Sequence, residues 1–148
     1  METSYIVHRI ARYDLQGKEM LKTLEKYFAG DHGFIYALLG IKDRLISGVL
    51  ENIVMLELKR RGYRVFTGKW RDKEIDFVAE KQNKKLYIQV AWDMPDEETR
   101  MREFCSLLSV RDNYPKAVVT FEPNMPPEYE GIRIIPAWEW TDWLRENV

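Results

Sequence analysis

Two short runs of this chain set polar side chains among apolar ones: Glu74-Ile75-Asp76-Phe77-Val78 and Tyr87-Ile88-Gln89-Val90-Ala91. Both read as strands, and side chains along a strand alternate faces with a period of two. Asp76 is then expected to share a face with Glu74 and Val78, while Ile75 and Phe77 point away. Gln89 shares its face with Tyr87 and Ala91. An acid on one strand beside a polar group on the next is the geometry of a small metal site. Aspartate is depleted in strands, so Asp76 is the more telling of the two. A solvated strand face would account for the same acid, and Gln89 also fits as a plain polar strand residue.

These runs need a frame to hold them. Tyr5 to Tyr13 is rich in β-branched and aromatic residues, Asp14-Leu15-Gln16-Gly17 is a turn signal, and Glu19 to Phe28 reads as a returning strand. Gly33 to Leu39 is a short apolar helix or turn. Arg44 to Arg61 has the clearest helical periodicity, with Leu50, Val54 and Leu58 in register and Ile46, Ile53 and Leu56 widening the stripe. Lys59-Arg60-Arg61 suits the negative end of the helix dipole, and Gly62 stops the helix. Three strands follow over Tyr63–Lys69, Glu74–Glu80 and Lys85–Trp92, joined by short polar links that predict an antiparallel meander. Pro95 and the acids Asp96, Glu97 and Glu98 open a helix running to about Val110, with Met101, Phe104, Cys105 and Leu108 on its apolar face. Lys116–Phe121 is a short buried strand, Glu122–Glu130 a loop, Ile132–Ile135 a last strand and Ala137–Arg145 a last helix. A strand after the second helix joins such a meander through a crossover, which gives an α/β sheet with helices on both faces.

The 148 residues amount to one modest domain with enough chain for a core. Cys105 is the single cysteine, so no intrachain disulfide forms, no zinc cluster is offered, and a cytoplasmic location is the simplest expectation. No secretory leader and no membrane-spanning apolar run is read from the sequence. The net charge of −1 hides an asymmetry: residues 1–92 hold 17 Lys/Arg against 12 Asp/Glu, and residues 93–148 hold 6 against 12. A basic half favours phosphate backbones, although solvated surface lysines give the same count. His8 and His32 read as surface residues and Cys105 as core. Trp138, Trp140 and Trp143 either stack on bases or pack the last helix on the sheet, and their spacing favours packing.

The element order, with Leu50-Glu51-Asn52-Ile53-Val54, Glu57-Leu58-Lys59-Arg60-Arg61-Gly62-Tyr63, Lys73-Glu74-Ile75-Asp76-Phe77-Val78 and Tyr87-Ile88-Gln89-Val90, resembles the PD-(D/E)XK nuclease-like superfamily. Arg12-Tyr13-Asp14, Glu25-Lys26-Tyr27-Phe28, Glu97-Glu98-Thr99-Arg100 and Asp112-Asn113-Tyr114-Pro115-Lys116 narrow the likeness. It is to the C-terminal domain of unknown function carried by archaeal and bacterial AAA-type ATPases. The resemblance implies a restriction-endonuclease-like core of helix, three antiparallel strands, helix and strand over residues 41–148. It also implies that residues 1–40 form a connector and a hairpin like the wing of a winged helix. An AAA-type ATPase domain, in the same or a neighbouring chain, is the implied partner. No G-x-x-x-x-G-K-[ST] loop occurs here, so no nucleotide site is read, and the chain looks like a piece of a longer ATPase.

Active members of that superfamily hold Mg2+ with a helix acid, a strand acid and a D/E-x-K pair whose lysine orients the attacking water. By position, Glu51 is the helix acid and Asp76 the strand acid. Gln89 stands where the second acid belongs, and Ala91 where the lysine belongs. The ligand set Glu51, Asp76 and Gln89 has lost one charge, so binding of Mg2+ or Mn2+ is weakened. Only Lys73, Lys84 or Lys85 is read as a replacement amine. The leading expectation is a degenerate, non-catalytic nuclease-like domain acting as an interaction or DNA-positioning module. A weak metal-dependent DNA nuclease and a structural or homo-oligomerisation domain are the alternatives.

Overall fold

The computed structural model describes residues 6–31, 33, 36, 37, 40 and 46–147. The short element expected over Gly33–Leu39 falls largely outside them, as does His32. The fold is mixed α/β. In chain order the elements are β1 (Val7–Asp14), β2 (Glu19–Ala29), α1 (Ile46–Arg60), β3 (Arg64–Trp70), β4 (Lys73–Lys81), β5 (Lys84–Ala91), α2 (Glu97–Leu108), β6 (Lys116–Thr120), β7 (Glu128–Tyr129), β8 (Ile132–Pro136) and α3 (Trp140–Asn147).

One eight-stranded sheet runs in the order β2-β1-β3-β4-β5-β6-β8-β7. The N-terminal hairpin is continuous with it, because β1 lies parallel to β3 with Arg12 opposite Thr67 and Tyr13 opposite Gly68. The meander β3-β4-β5 is antiparallel. Its second turn is Gln82-Asn83, both residues at positive φ (48° and 64°). That is the two-residue hairpin geometry whose twist matches the flanking strands. The α2 crossover brings β6 parallel to β5, and β8 lies parallel to β6. The stretch read as loop from Glu122 to Glu130 contains β7, a two-residue strand that pairs antiparallel with β8. So short an element has no periodicity to reveal it.

Helices cover both faces of the sheet. Leu50, Val54, Met55 and Leu58 of α1 and Trp140 and Leu144 of α3 pack with Phe77, Ile88, Val90 and Val119. Phe104 and Leu107 of α2 pack with Ile75, Val78, Tyr87 and Val118 on the other side. Ile53, expected in the α1 stripe, is 46 % exposed, and Met55 takes the buried place instead. α1 ends in a Schellman closure: Gly62 at φ 81° lets its N–H reach Lys59 O at 2.9 Å, and the Tyr63 N–H reaches Leu58 O at 3.0 Å. α2 starts at Asp96, whose carboxylate accepts the Thr99 N–H at 2.7 Å.

The expected alternation fails in β4. Opposite Phe66 stands Val78, but opposite Gly68 stands Ile75, so β4 has one residue more than β3 over this span. This β-bulge resets the faces. Ile75 joins Val78 on the α2 side, while Phe77 packs on the α1 side. Glu74 and Asp76 thus share a face with each other, as alternation predicts, but not with Val78. A bulge is invisible to a period-two reading, because nothing in Ile75-Asp76-Phe77 signals the extra residue.

Candidate functional site

The bulge aims Glu74 and Asp76 toward α1 and the N-terminal hairpin. There the Nζ of Lys26, from β2, lies 2.7 Å from Glu74 Oε1, 3.5 Å from Asp76 Oδ1 and 3.7 Å from Glu51 Oε2. Three acids from a helix and a strand therefore converge on one ammonium. Arg12 of β1 closes the same group with its guanidinium on Glu74. Asn52, next to Glu51, donates its side-chain amide to Ala29 O at 2.8 Å and ties α1 to β2. That bond fixes the helix acid relative to the strand that brings the amine.

Asp76 is buried, its side chain 12 % exposed. Backbone pairing between β4 and β5 reaches only as far as Phe77 opposite Ile88. Past that point side chains bridge the strands. Asp76 Oδ2 accepts the Val90 N–H at 2.9 Å, and the Asp76 N–H donates to Gln89 Oε1 at 3.3 Å. Gln89 Nε2 in turn donates to Glu103 Oε2 of α2 at 2.9 Å. Gln89 thus spends both ends of its amide on protein partners.

Burial pushes the Asp76 carboxyl up to about 7, and the nearby Glu51 charge adds to the rise while Lys26 and the Val90 N–H oppose it. Burial likewise raises Glu51, with Lys26 acting against it. Lys26 itself is pulled down by burial, but Asp76, Glu74 and Glu51 outweigh that effect and its pKa is raised. The cluster is a locked ion network in which the cation is held firmly and the most buried acid gives up its proton reluctantly.

The structure brings Glu51, Asp76 and Gln89 into one neighbourhood, Glu51 and Asp76 sharing a counter-ion and Gln89 touching Asp76 through its backbone. Ala91 is not there. It is buried with Tyr87, Met94 and Phe104 on the α2 side. The lysines read as replacements are also elsewhere: Lys73 donates to Cys105 O at 3.3 Å, Lys85 pairs with Glu80 at 3.0 Å, and Lys84 is exposed. Sequence reading missed Lys26, Arg12 and Glu103. For Lys26 a signal existed. It lies two residues before Phe28 and opposite Ile10, both of which are buried on the α1 face. A charged side chain on that face has to find partners under α1.

Three other residue groups read from the sequence lie away from this cluster. Arg60 and Arg61 both bind Glu57, at 2.7 and 2.5 Å, and Arg61 also reaches Thr141 O at 2.9 Å and so ties the end of α1 to α3. Trp140 is buried and stacks on Trp143, as packing of the last helix requires, but Trp138 is 61 % exposed and meets Phe121 instead. His8 and Cys105 are half-buried.

The family described as Domain of unknown function (DUF4143) matches residues 47–140. An uncharacterized protein of Haemophilus influenzae is 39 % identical over 140 residues, covering 95 % of this chain. The chain belongs to the DUF4143 family. An uncharacterized protein of Methanocaldococcus jannaschii is 30 % identical over 108 residues, or 63 % of this chain. The chain spans 34 % of the first relative and 24 % of the second, so both are much longer proteins. No solved structure matches. The DUF4143 segment takes in α1, the meander, α2 and the strands beyond, hence Glu51, Asp76, Gln89 and Glu103, whereas Lys26 and Arg12 lie before it. No helix among the described residues is long and apolar enough to cross a membrane.

Proposed function

We propose that this chain is a nuclease-like domain that no longer cuts, serving as an interaction or DNA-positioning module beside an AAA-type ATPase domain. One observation carries the reading: the Lys26 ammonium holds Glu51, Glu74 and Asp76 at 2.7 to 3.7 Å. Mg2+ requires oxygen ligands turned onto it at about 2.0–2.1 Å in near-octahedral array. Here the acids are turned onto a tethered cation, the second Asp76 oxygen is taken by the Val90 N–H, and the Gln89 amide is spent on Asp76 and Glu103. Among the described residues no group of three or more His, Cys, Asp or Glu is arranged to hold a metal ion. The donor set does not fit the divalent ion that phosphodiester cleavage by such a fold requires, so no hydrolytic step is assigned to it.

The ATPase association rests on the motif resemblance. The relatives' extra length leaves room for such a domain, since the chain matches only 34 % of the Haemophilus influenzae protein. The test is cleavage of plasmid and oligonucleotide DNA with Mg2+ and with Mn2+, alongside calorimetric titration of Mn2+. Neither cutting nor binding heat at millimolar metal is expected. Cutting that Asp76→Ala abolishes would overturn the reading.

A further inference from the structure

Away from the carboxylate cluster, two cavities of about 710 and 480 Å3 share a wall made of Lys85 and Tyr114. The first lies along the β4–β5 turn. The second lies between the β1–β2 turn and the segment that follows α2. Together they are lined by Lys18, Arg64, Lys81, Lys84, Lys85 and Arg111, against the carboxylates Glu80 and Asp112 alone. Both acids are engaged, Glu80 with Lys85 at 3.0 Å and Asp112 with the Tyr87 hydroxyl at 2.6 Å. Lys18, Lys84 and Arg111 are exposed and have no carboxylate partner among the described residues. A chain with net charge −1 therefore gathers an excess of cations around one groove.

Rings stand among these cations. Lys85 Nζ lies 5.3 Å from the Tyr13 ring centre and 5.6 Å from that of Tyr114. Tyr114 is 43 % exposed, and Trp70 lines the same cavity. Lys18, Lys84 and Arg111, without carboxylate partners, thus line the same groove as an accessible aromatic face, the chemistry that holds a single strand, phosphates on the Lys/Arg groups and unstacked bases on the rings. A duplex keeps its bases stacked and has no use for the rings.

We infer that this groove, and not the carboxylate cluster, binds single-stranded nucleic acid. The inference deepens the positioning role proposed above and rests on it. The test is fluorescence anisotropy of a labelled oligo(dT) of about 15 nucleotides, a span within the reach of such grooves, titrated with the full chain at several salt concentrations. Binding should weaken with salt, and Lys84→Ala/Arg111→Ala should lower the slope of log K against log salt by about 1.4. Tyr114→Ala should weaken binding at least about fivefold. Arg145→Ala, which removes a cation on α3, should leave binding unchanged. The inference is overturned by no binding at about 50 mM salt, by equal binding of a duplex, by equally good competition from poly-glutamate, or by groove variants that bind like the parent. Cleavage of the oligonucleotide in the same samples would sink the non-cutting reading and leave the groove standing. Absence of binding without cleavage would do the reverse.

Discussion

Replacing Lys26 by methionine keeps the stem of the side chain and removes the charge that three acids share. At 2.7 Å from Glu74 and 3.5 Å from Asp76, the attractions are on the order of 6 and 5 kcal/mol at an effective dielectric of 20. Desolvating the ammonium offsets much of that. Removing one partner of a buried pair costs about 3–5 kcal/mol because the other charge is stranded. Lys26 is 28 % exposed, so water screens what remains and the loss falls just below that range. The expected loss is about 2–3 kcal/mol near pH 8, read from urea unfolding with an unchanged m-value. At pH 5 the Asp76 carboxyl, raised to about 7, is already neutral, and the loss should fall to roughly half. Lys26→Met/Asp76→Asn should recover part of the stability at pH 8, because the most buried acid is then neutral too. If Lys26→Met unfolds at the same urea concentration as the parent at pH 8, the ammonium is not what balances the acids, and the proposed function loses its main support.

Two further outcomes follow from the same coordinates. Asp76 titrates near 3.8 when unfolded and at about 7 when folded, so between those values the native state binds more protons. Stability should therefore fall as pH rises through that window, with a slope of at most about 1.4 kcal/mol per pH unit from this group, and Asp76→Asn should flatten it. Gly68 of β3 has no room for a side chain: an added Cβ would stand 2.8 Å from Val78 Cγ2 and 3.1 Å from Ile75 Cβ. Gly68→Ala should cost about 1–3 kcal/mol in thermal or urea unfolding, and Val78→Ala in the same chain should return part of it.

Much of this architecture could be read from the sequence, and the failures have identifiable causes. The helix through Leu50, Val54 and Leu58 and the three-strand meander were legible because local patterning repeats in each. The crossover to β6 followed from a helix between two strands. Local pattern could not reveal the bulge at Asp76, which decides what that acid faces. Nor could it place Lys26, whose partners lie 25, 48 and 50 residues away in Glu51, Glu74 and Asp76 and meet it only because β1 joins β3. Ala91 was expected in the cleft by alternation from Gln89, and it does share that face. The acid cluster lies on the other side of the gap where β4 and β5 part, so the missing amine leaves no hole there.

The cation at the centre of the cluster comes from β2, which forms one outer border of the sheet. Border strands have a neighbour on one side only, and their amides exchange with solvent through smaller openings than those of interior strands. Peeling β2 from β1 would carry the Lys26 amine away and leave Glu51, Glu74 and Asp76 facing one another. The charge state of the interior is thus governed from the rim. Conditions that fray this ribbon should first appear as a shift in carboxylate titration, before the remainder of the sheet gives way.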